Sequence, residues 1–185
     1  MSLGHVLIFG GTGMLAEATG WITTNADHTI AYGRNKTRLE RLEKMYGEHG
    51  LEVKELDYSD IEALKSELKT AFKQHGPIYM VVAWIHSTAP TAVPTIMKQV
   101  SELQIHQWTL ILIKGSSSYL SSIISPESDI PENCYVKEVL LGFIYNGTTS
   151  RWLTHQEISE GVIQAIQGNK TKTVVGTLEP WEKRP

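Results

Sequence analysis

The sequence predicts an α/β fold, a doubly wound parallel sheet of about seven strands held between two layers of helices. Three observations predict it. Apolar strand-like runs alternate with amphipathic helix-like runs along the chain. Some strand runs, such as "IYMVVAWI" from Ile78, are almost continuously apolar, as expected where both faces of a sheet are covered. At 185 residues, with 41% hydrophobic and 20% charged side chains, the chain is long enough for one sizeable core and is read as a single domain over residues 1–185.

The elements follow in order. "HVLIF" is the first strand, running through a glycine turn into a helix from Met14 to Asn25. "HTIAYG" is the second strand, followed by a charged helix that Asn35 can cap, with Leu39, Leu42 and Met45 on one face and Gly50 closing it. "LEVKELD" alternates as a third strand. "SDIE" then reads as a capping box, with Ser59 at the cap and Glu62 three residues on, and Gly76-Pro77 ends that helix. "IYMVVAWI" is the fourth strand, and Thr91 to His106 reads as a helix. "WTLILIKG" is a fifth, buried strand and "CYVKEVLLGFIYN" a longer sixth. "THQE" is a second capping box (Thr154, Glu157) on a helix that Gly168 ends, and "TKTVVGTL" is the last strand. Between strands five and six, "SPESDIPEN" is poor in helix formers, so a helix there should be shortened or missing.

The composition excludes several function classes. A net charge of -3 gives no global attraction to nucleic acid or to an anionic membrane surface. No apolar run approaches the roughly 18 residues that span a bilayer. The N-terminus lacks the basic start and long apolar segment of a signal peptide, so a cytoplasmic location is expected. The single cysteine, Cys134, precludes an internal disulfide and a multi-cysteine metal cluster; no metal site is expected.

In a doubly wound sheet, ligands bind beyond the carboxyl ends of the strands, where the strand order reverses. After the first strand comes "GGTGMLA", with Gly10, Gly13 and Ala16 in a G-x-x-G-x-x-A spacing. Gly10 permits the tight turn. Gly13 lets backbone approach a diphosphate at the helix N-terminus, and Thr12, Met14 and Leu15 complete the turn. The second strand ends "YGRNK", with no acid for ribose hydroxyls but with Arg34, Asn35 and Lys36, and Arg38 one turn on. This favours the 2′-phosphate of NADP(H) over NAD(H), with Arg34 as its partner. A basic cluster at a helix start opposes the helix dipole, so capping does not account for it.

After the third strand, Asp57 and Tyr58 stand where adenine would lie. After the fourth, backbone of Ala83 and Trp84 would pass the ribose beside nicotinamide, and His86 can serve as acid or base. After the fifth, Ser116 or Ser117 can bond a substrate carbonyl and Tyr119 can donate a proton. After the sixth, Tyr145, Asn146 and Arg151 can border nicotinamide. Each also has a plainer reading as a polar turn or surface residue.

With "GGTGMLA", "GRN", "LDYSD", "AWIH" and "RWLTHQEISEGVIQAI", the sequence resembles the short-chain dehydrogenase/reductase family over nearly its full length. The resemblance implies a Rossmann-type domain, NAD(P) on the glycine turn, NADP preference from Arg34 and an adenine contact from Asp57. The family's catalytic machinery is a serine after strand five and a Tyr-x-x-x-Lys on the next long helix. In this sequence only Tyr32 and Lys36 have that spacing, and they lie at the adenosine end. Gly115 and Cys134 are too close in sequence to hold the usual long helix, so the chain looks like a reduced member. That helix often supplies the family's dimer interface, so a homo-oligomer is allowed for without being implied.

Two functions follow as expectations. One is an NADP-dependent oxidoreductase of a small carbonyl substrate, with Ser116, Tyr119, His86 or Tyr145 as a non-standard proton donor. The other is an NADP(H)-binding sensor or interaction module without turnover. An enzyme on another substrate class, such as a nucleotide sugar, has no specific support.

Overall fold

The structure is a computed structural model that describes residues 2–116 and 130–185. Its elements in chain order are β1 (His5–Phe9), α1 (Ala16–Asn25), β2 (His28–Gly33), α2 (Lys36–Tyr46), β3 (Leu51–Glu55), α3 (Ile61–His75), β4 (Ile78–Ala83), α4 (Ala92–Leu103), β5 (Trp108–Gly115), β6 (Cys134–Leu141), β7 (Phe143–Tyr145), β8 (Ser150–Trp152), α5 (His155–Gln167) and β9 (Lys172–Val175). Seven strands form one sheet in the order β3-β2-β1-β4-β5-β6-β9, and every pairing within it is parallel.

Strand periodicity divides the interior. On β1, Leu7 and Phe9 face one cluster with Leu64 and Leu68 of α3 and Ile96 and Val100 of α4. Val6 and Ile8 face the opposite cluster with Ala18 and Ile22 of α1, Leu42 of α2 and Ile158 and Val162 of α5. A strand covered on both sides needs apolar residues at every position, which is why these strands read as runs rather than as alternations.

Local signals place several helix ends. Asn35 Oδ1 accepts from the Arg38 amide at 2.9 Å. Thr154 and Glu157 form the expected reciprocal capping box. Four expectations need correction. The cap of α3 is Asp60, not Ser59: Asp60 Oδ1 accepts from the Ala63 amide at 3.0 Å. Ser59 is engaged elsewhere, with its amide and hydroxyl both donating to Asp57 Oδ1. This local turn delays helix entry by one residue.

Met45 does not join the buried face of α2 and is 54% exposed. Tyr46 takes that place, lying so close over Gly20 of α1 that a Cβ there would sit 2.2 Å from the ring. The sixth strand is also not continuous. Gly142 separates β6 from β7, and β7 leaves the sheet to pair antiparallel with β8. At the break, Phe143 and Thr177 exchange backbone hydrogen bonds of 3.0 and 2.8 Å.

The helix from Thr91 is shorter than expected, because the chain turns at Gln104. The side chain of this buried residue accepts from the Ile78 amide and donates to the Ile78 carbonyl, both at 2.8 Å. Most of the segment joining β5 to β6 lies outside the described residues, and so does the expected shortening of its helix. No helix among the described residues is long and apolar enough to cross a membrane.

Candidate functional site

Strand order reverses between β1 and β4, the two strands that flank the start of the sheet's second half. A cavity of about 540 Å³ opens at their carboxyl ends, lined by the glycine turn, Arg34, Arg38, Tyr58, Trp84 and His86. A smaller one of about 190 Å³ adjoins it, bounded by Arg34, Asp57, Ser59 and His86.

The glycine turn is held from three directions. Gly10 has φ +81°, and a Cβ on it would lie 2.3 Å from the Trp84 carbonyl oxygen. Gly11 is closed in by Thr19 Oγ1 and Ile8, at 2.6 and 2.7 Å from such a Cβ, and the Thr19 hydroxyl donates to the Gly11 carbonyl. From α5, the buried Ser159 hydroxyl accepts from the Ala18 amide and donates to the Met14 carbonyl, tying the first turn of α1 to a residue distant in sequence. Gly13 is different: a Cβ there would meet only Arg38, at an ordinary 3.7 Å. The chain's own packing does not need a glycine at 13. The free space above it belongs to the cavity.

Tyr58 fixes the other wall. Its hydroxyl donates to the Tyr32 carbonyl at 2.8 Å and accepts from the Gly10 amide at 2.9 Å. Burial pushes that hydroxyl up to about 12, so it stays a donor at neutral pH. The Gly10 amide is therefore engaged within the protein. Among the described residues, no group accepts from the amides of Thr12, Gly13 or Met14. All three residues line the large cavity just before α1, and the start of a helix favours an anion. Tyr58→Phe should cost about 1–2 kcal/mol of stability, since it leaves the Tyr32 carbonyl without its side-chain partner. Chemical denaturation checks this.

The structure sorts the basic residues after β2. Arg34 and Arg38 line the large cavity. Lys36 does not: its side chain is 75% exposed and its ammonium lies 3.9 Å from Glu40. Asp57 lies on the small cavity, its carboxyl held below the ordinary range by the Ser59 amide and hydroxyl, with Arg34 adding to the effect.

The remaining candidates separate further. Met14 lines the large cavity, but Leu15 is 1% exposed and its side chain belongs to the core beneath. Ala83 is fully buried, and Trp84 presents itself at the cavity beside His86, ring centroids 5.1 Å apart. The Trp84 indole reaches the end of β5, 3.6 Å from a Cβ built on Gly115.

Among the expected proton donors, His86 lines both cavities. Ser116 is buried at 7% exposure and lines neither. Ser117 and Tyr119 lie outside the described residues.

Tyr145, Asn146 and Arg151 are not brought to the cavities. Tyr145 donates to the Gly147 carbonyl within the β7–β8 hairpin. Asn146 accepts from the Thr148 and Thr149 amides in the hairpin loop. Arg151 is locked to Glu157 by two 2.9 Å hydrogen bonds, which with the Thr154 amide hold the Glu157 carboxyl down at about 2. The hairpin consumes these polar groups locally, which a strand continuing straight from β6 would not do.

No family profile and no curated protein sequence matches the chain. Solved structures do. An actinorhodin polyketide ketoreductase determined with NADPH superposes with a TM-score of 0.70 at 12% identity, covering 94% of this chain and 95% of that one. A short-chain dehydrogenase from Oenococcus oeni gives 0.70 at 11% identity, covering 99% and 97%. A short-chain dehydrogenase/reductase of the glucose/ribitol dehydrogenase type from Brucella melitensis gives 0.69 at 12% identity, covering 96% and 95%. The likeness is one of architecture: the chain has the fold of the short-chain dehydrogenases and reductases.

Proposed function

We propose that this protein binds NADP(H) across the carboxyl ends of β1, β2 and β4, as a short-chain-dehydrogenase-like protein. The observation that carries the reading is the combination of open space over Gly13 with Arg34 and Arg38 on the same cavity. The diphosphate would rest on the amides of Thr12, Gly13 and Met14. The 2′-phosphate would sit between the two guanidinium groups, which offer charged, forked donors suited to phosphate. Asp57 would face the adenine amino group, and Trp84 would flank the ribose nearer nicotinamide. NAD(H) fits the same frame but leaves the two arginines without an anion.

When bound, nicotinamide supplies hydride chemistry, and the chain must then hold a small carbonyl substrate and move one proton. His86, which lines both cavities, is the candidate there for the latter, with Ser116 and Tyr119 the other candidates from the sequence. The absence of a Tyr-x-x-x-Lys pair outside the adenosine end favours a second reading, a sensor that binds NADP(H) without turnover.

Arg34→Ala should weaken NADPH binding about 10- to 100-fold, as expected for loss of a charge-assisted phosphate contact, and leave NADH binding within a factor of about two. Calorimetry with both coenzymes checks it, and equal losses for the two would remove the 2′-phosphate role. NADPH oxidation against aldehydes, ketones and quinones separates the two readings: turnover sensitive to His86→Gln supports the oxidoreductase, whereas stabilisation by NADPH without turnover supports the sensor.

A further inference from the structure

At the opposite, amino-terminal edge of the sheet, residues far apart in sequence form a cluster of imidazoles around one carboxylate. His28 opens β2, Glu52 is second on β3 and His75 ends α3. We propose that His28, Glu52 and His75 form a binding site for a divalent transition-metal ion of the zinc class.

The spacing of the donor atoms suits such an ion. One ring nitrogen of each histidine and a Glu52 carboxylate oxygen all lie within 4.8 Å of one another. His28 Nε2 is 3.2 Å and His75 Nε2 3.3 Å from the same oxygen, Oε1. Ligands held about 2.1 Å from a tetrahedral ion stand roughly 3.4 Å apart, so the two separations to Glu52 Oε1 match edges of a zinc polyhedron. Neither contact is a formed hydrogen bond: both Nε2 atoms are buried and have no hydrogen-bond partner. Two nitrogens thus converge on one oxygen with their lone pairs or protons unserved, which is costly unless a further group sits between them.

The His28 and His75 rings are stacked, centroids 3.6 Å apart and 17° from parallel, so one ring must turn about its side-chain torsions to bring both in-plane lone pairs onto one ion. A third ring, His5, is 4% exposed and lies 5.7 and 5.4 Å from them. Its Nδ1 is 3.2 Å from the Gly76 carbonyl. An imidazole that donates to a carbonyl through one nitrogen keeps the other as a lone-pair donor, the arrangement that orients metal-binding histidines. His5 Nε2 is buried and has no hydrogen-bond partner, and the ring stands outside the three residues whose donor atoms come within 4.8 Å of one another. Two histidines and one glutamate are a donor set that zinc accepts, and a fourth position is left for water.

The three ligands come from two strands and the end of a helix, so an ion there would clasp α3 to the edge of the sheet. The site lies at the opposite end of the strands from the coenzyme cavity and does not depend on it.

The test uses tag-free full-length protein stripped with a chelator, titrated with ZnCl2 and, separately, CoCl2. One ion per chain, a raised melting temperature, and visible Co2+ absorption of tetrahedral intensity are expected. Glu52→Gln and the pair His28→Gln/His75→Gln should each weaken Zn2+ binding at least ~10-fold while NADPH binding is unchanged. Should the histidine pair fail to fold, imidazole proton shifts on the wild-type protein serve instead: Co2+ should move the resonances of His28 and His75 and leave those of the exposed His106 and His155 in place. Absence of stoichiometric binding, wild-type affinity in Glu52→Gln, or shifts confined to the other histidines would overturn the proposal.

Discussion

Gly13→Val should leave the folded protein nearly as stable as before, within about 1 kcal/mol, while NADPH affinity falls at least ~100-fold, or about 2.7 kcal/mol. The expectation rests on a difference between neighbouring glycines. Gly10 needs its residue type for a φ of +81° and for the Trp84 carbonyl, and Gly11 for Thr19 and Ile8. At Gly13 the backbone lies outside the left-handed region, and only the flexible end of Arg38 is within contact of a new Cβ. A branched side chain there would instead occupy the space proposed for the diphosphate and cover the amides around it. Gly11→Ala is the control: its Cβ would press on buried groups and should cost about 1–3 kcal/mol. Thermal unfolding of both variants, with NADPH calorimetry on whichever remains folded, decides the matter. Undiminished NADPH binding by Gly13→Val would show that the diphosphate seat is elsewhere.

Glu138→Ala should destabilise the protein by about 2–4 kcal/mol. Lys114 on β5 is 8% exposed and its ammonium pairs with Glu138 on the adjacent β6. The two are diagonal neighbours, because Lys114 stands opposite Leu140 and Glu138 opposite Leu112. Removing the carboxylate strands a cation that the sheet keeps from water. Glu138 itself is partly exposed, with its side chain at 31%, which keeps the expected cost toward the lower end of the range for a buried pair. The double change Lys114→Met/Glu138→Leu should recover most of the loss, since an apolar pair of similar bulk needs no compensation. Urea denaturation of the single and double variants measures both. A loss below about 0.5 kcal/mol for Glu138→Ala would mean that solvent already screens the pair.

The interactions a sequence displays are those between near neighbours. Thr154 and Glu157 were legible as a capping box because both partners lie within one helical turn. Asn35 was legible as a cap for the same reason. The same rule gave the wrong residue at α3, because Ser59 and Asp60 are both capable caps and the nearby Asp57 decided between them. The layered fold was legible because burial on both faces writes itself into each strand as an apolar run. The place of the large cavity was legible because the glycine turn after the first strand marks the crevice at the carboxyl ends of such a sheet without any side-chain detail.

What the sequence by itself determined here is the alternation of strands and helices, the glycine turn after β1, and the absence of an acid where Arg34 stands. These are set by backbone conformational preference and by residue type, which act locally. Tertiary structure alone decided that Tyr58 holds Gly10, that Ser159 ties down the first turn of α1, and that Lys137 of β6 donates to the Ala165, Ile166 and Gly168 carbonyls at the end of α5. It also decided that Arg38 faces the cavity while Lys36 turns away, that β7 folds back on β8, and that three histidines and a glutamate meet at one edge. Each of these depends on which strands become neighbours and in what register, and a hydrogen bond or a ligand set between distant segments leaves no period in the chain for a reader to find.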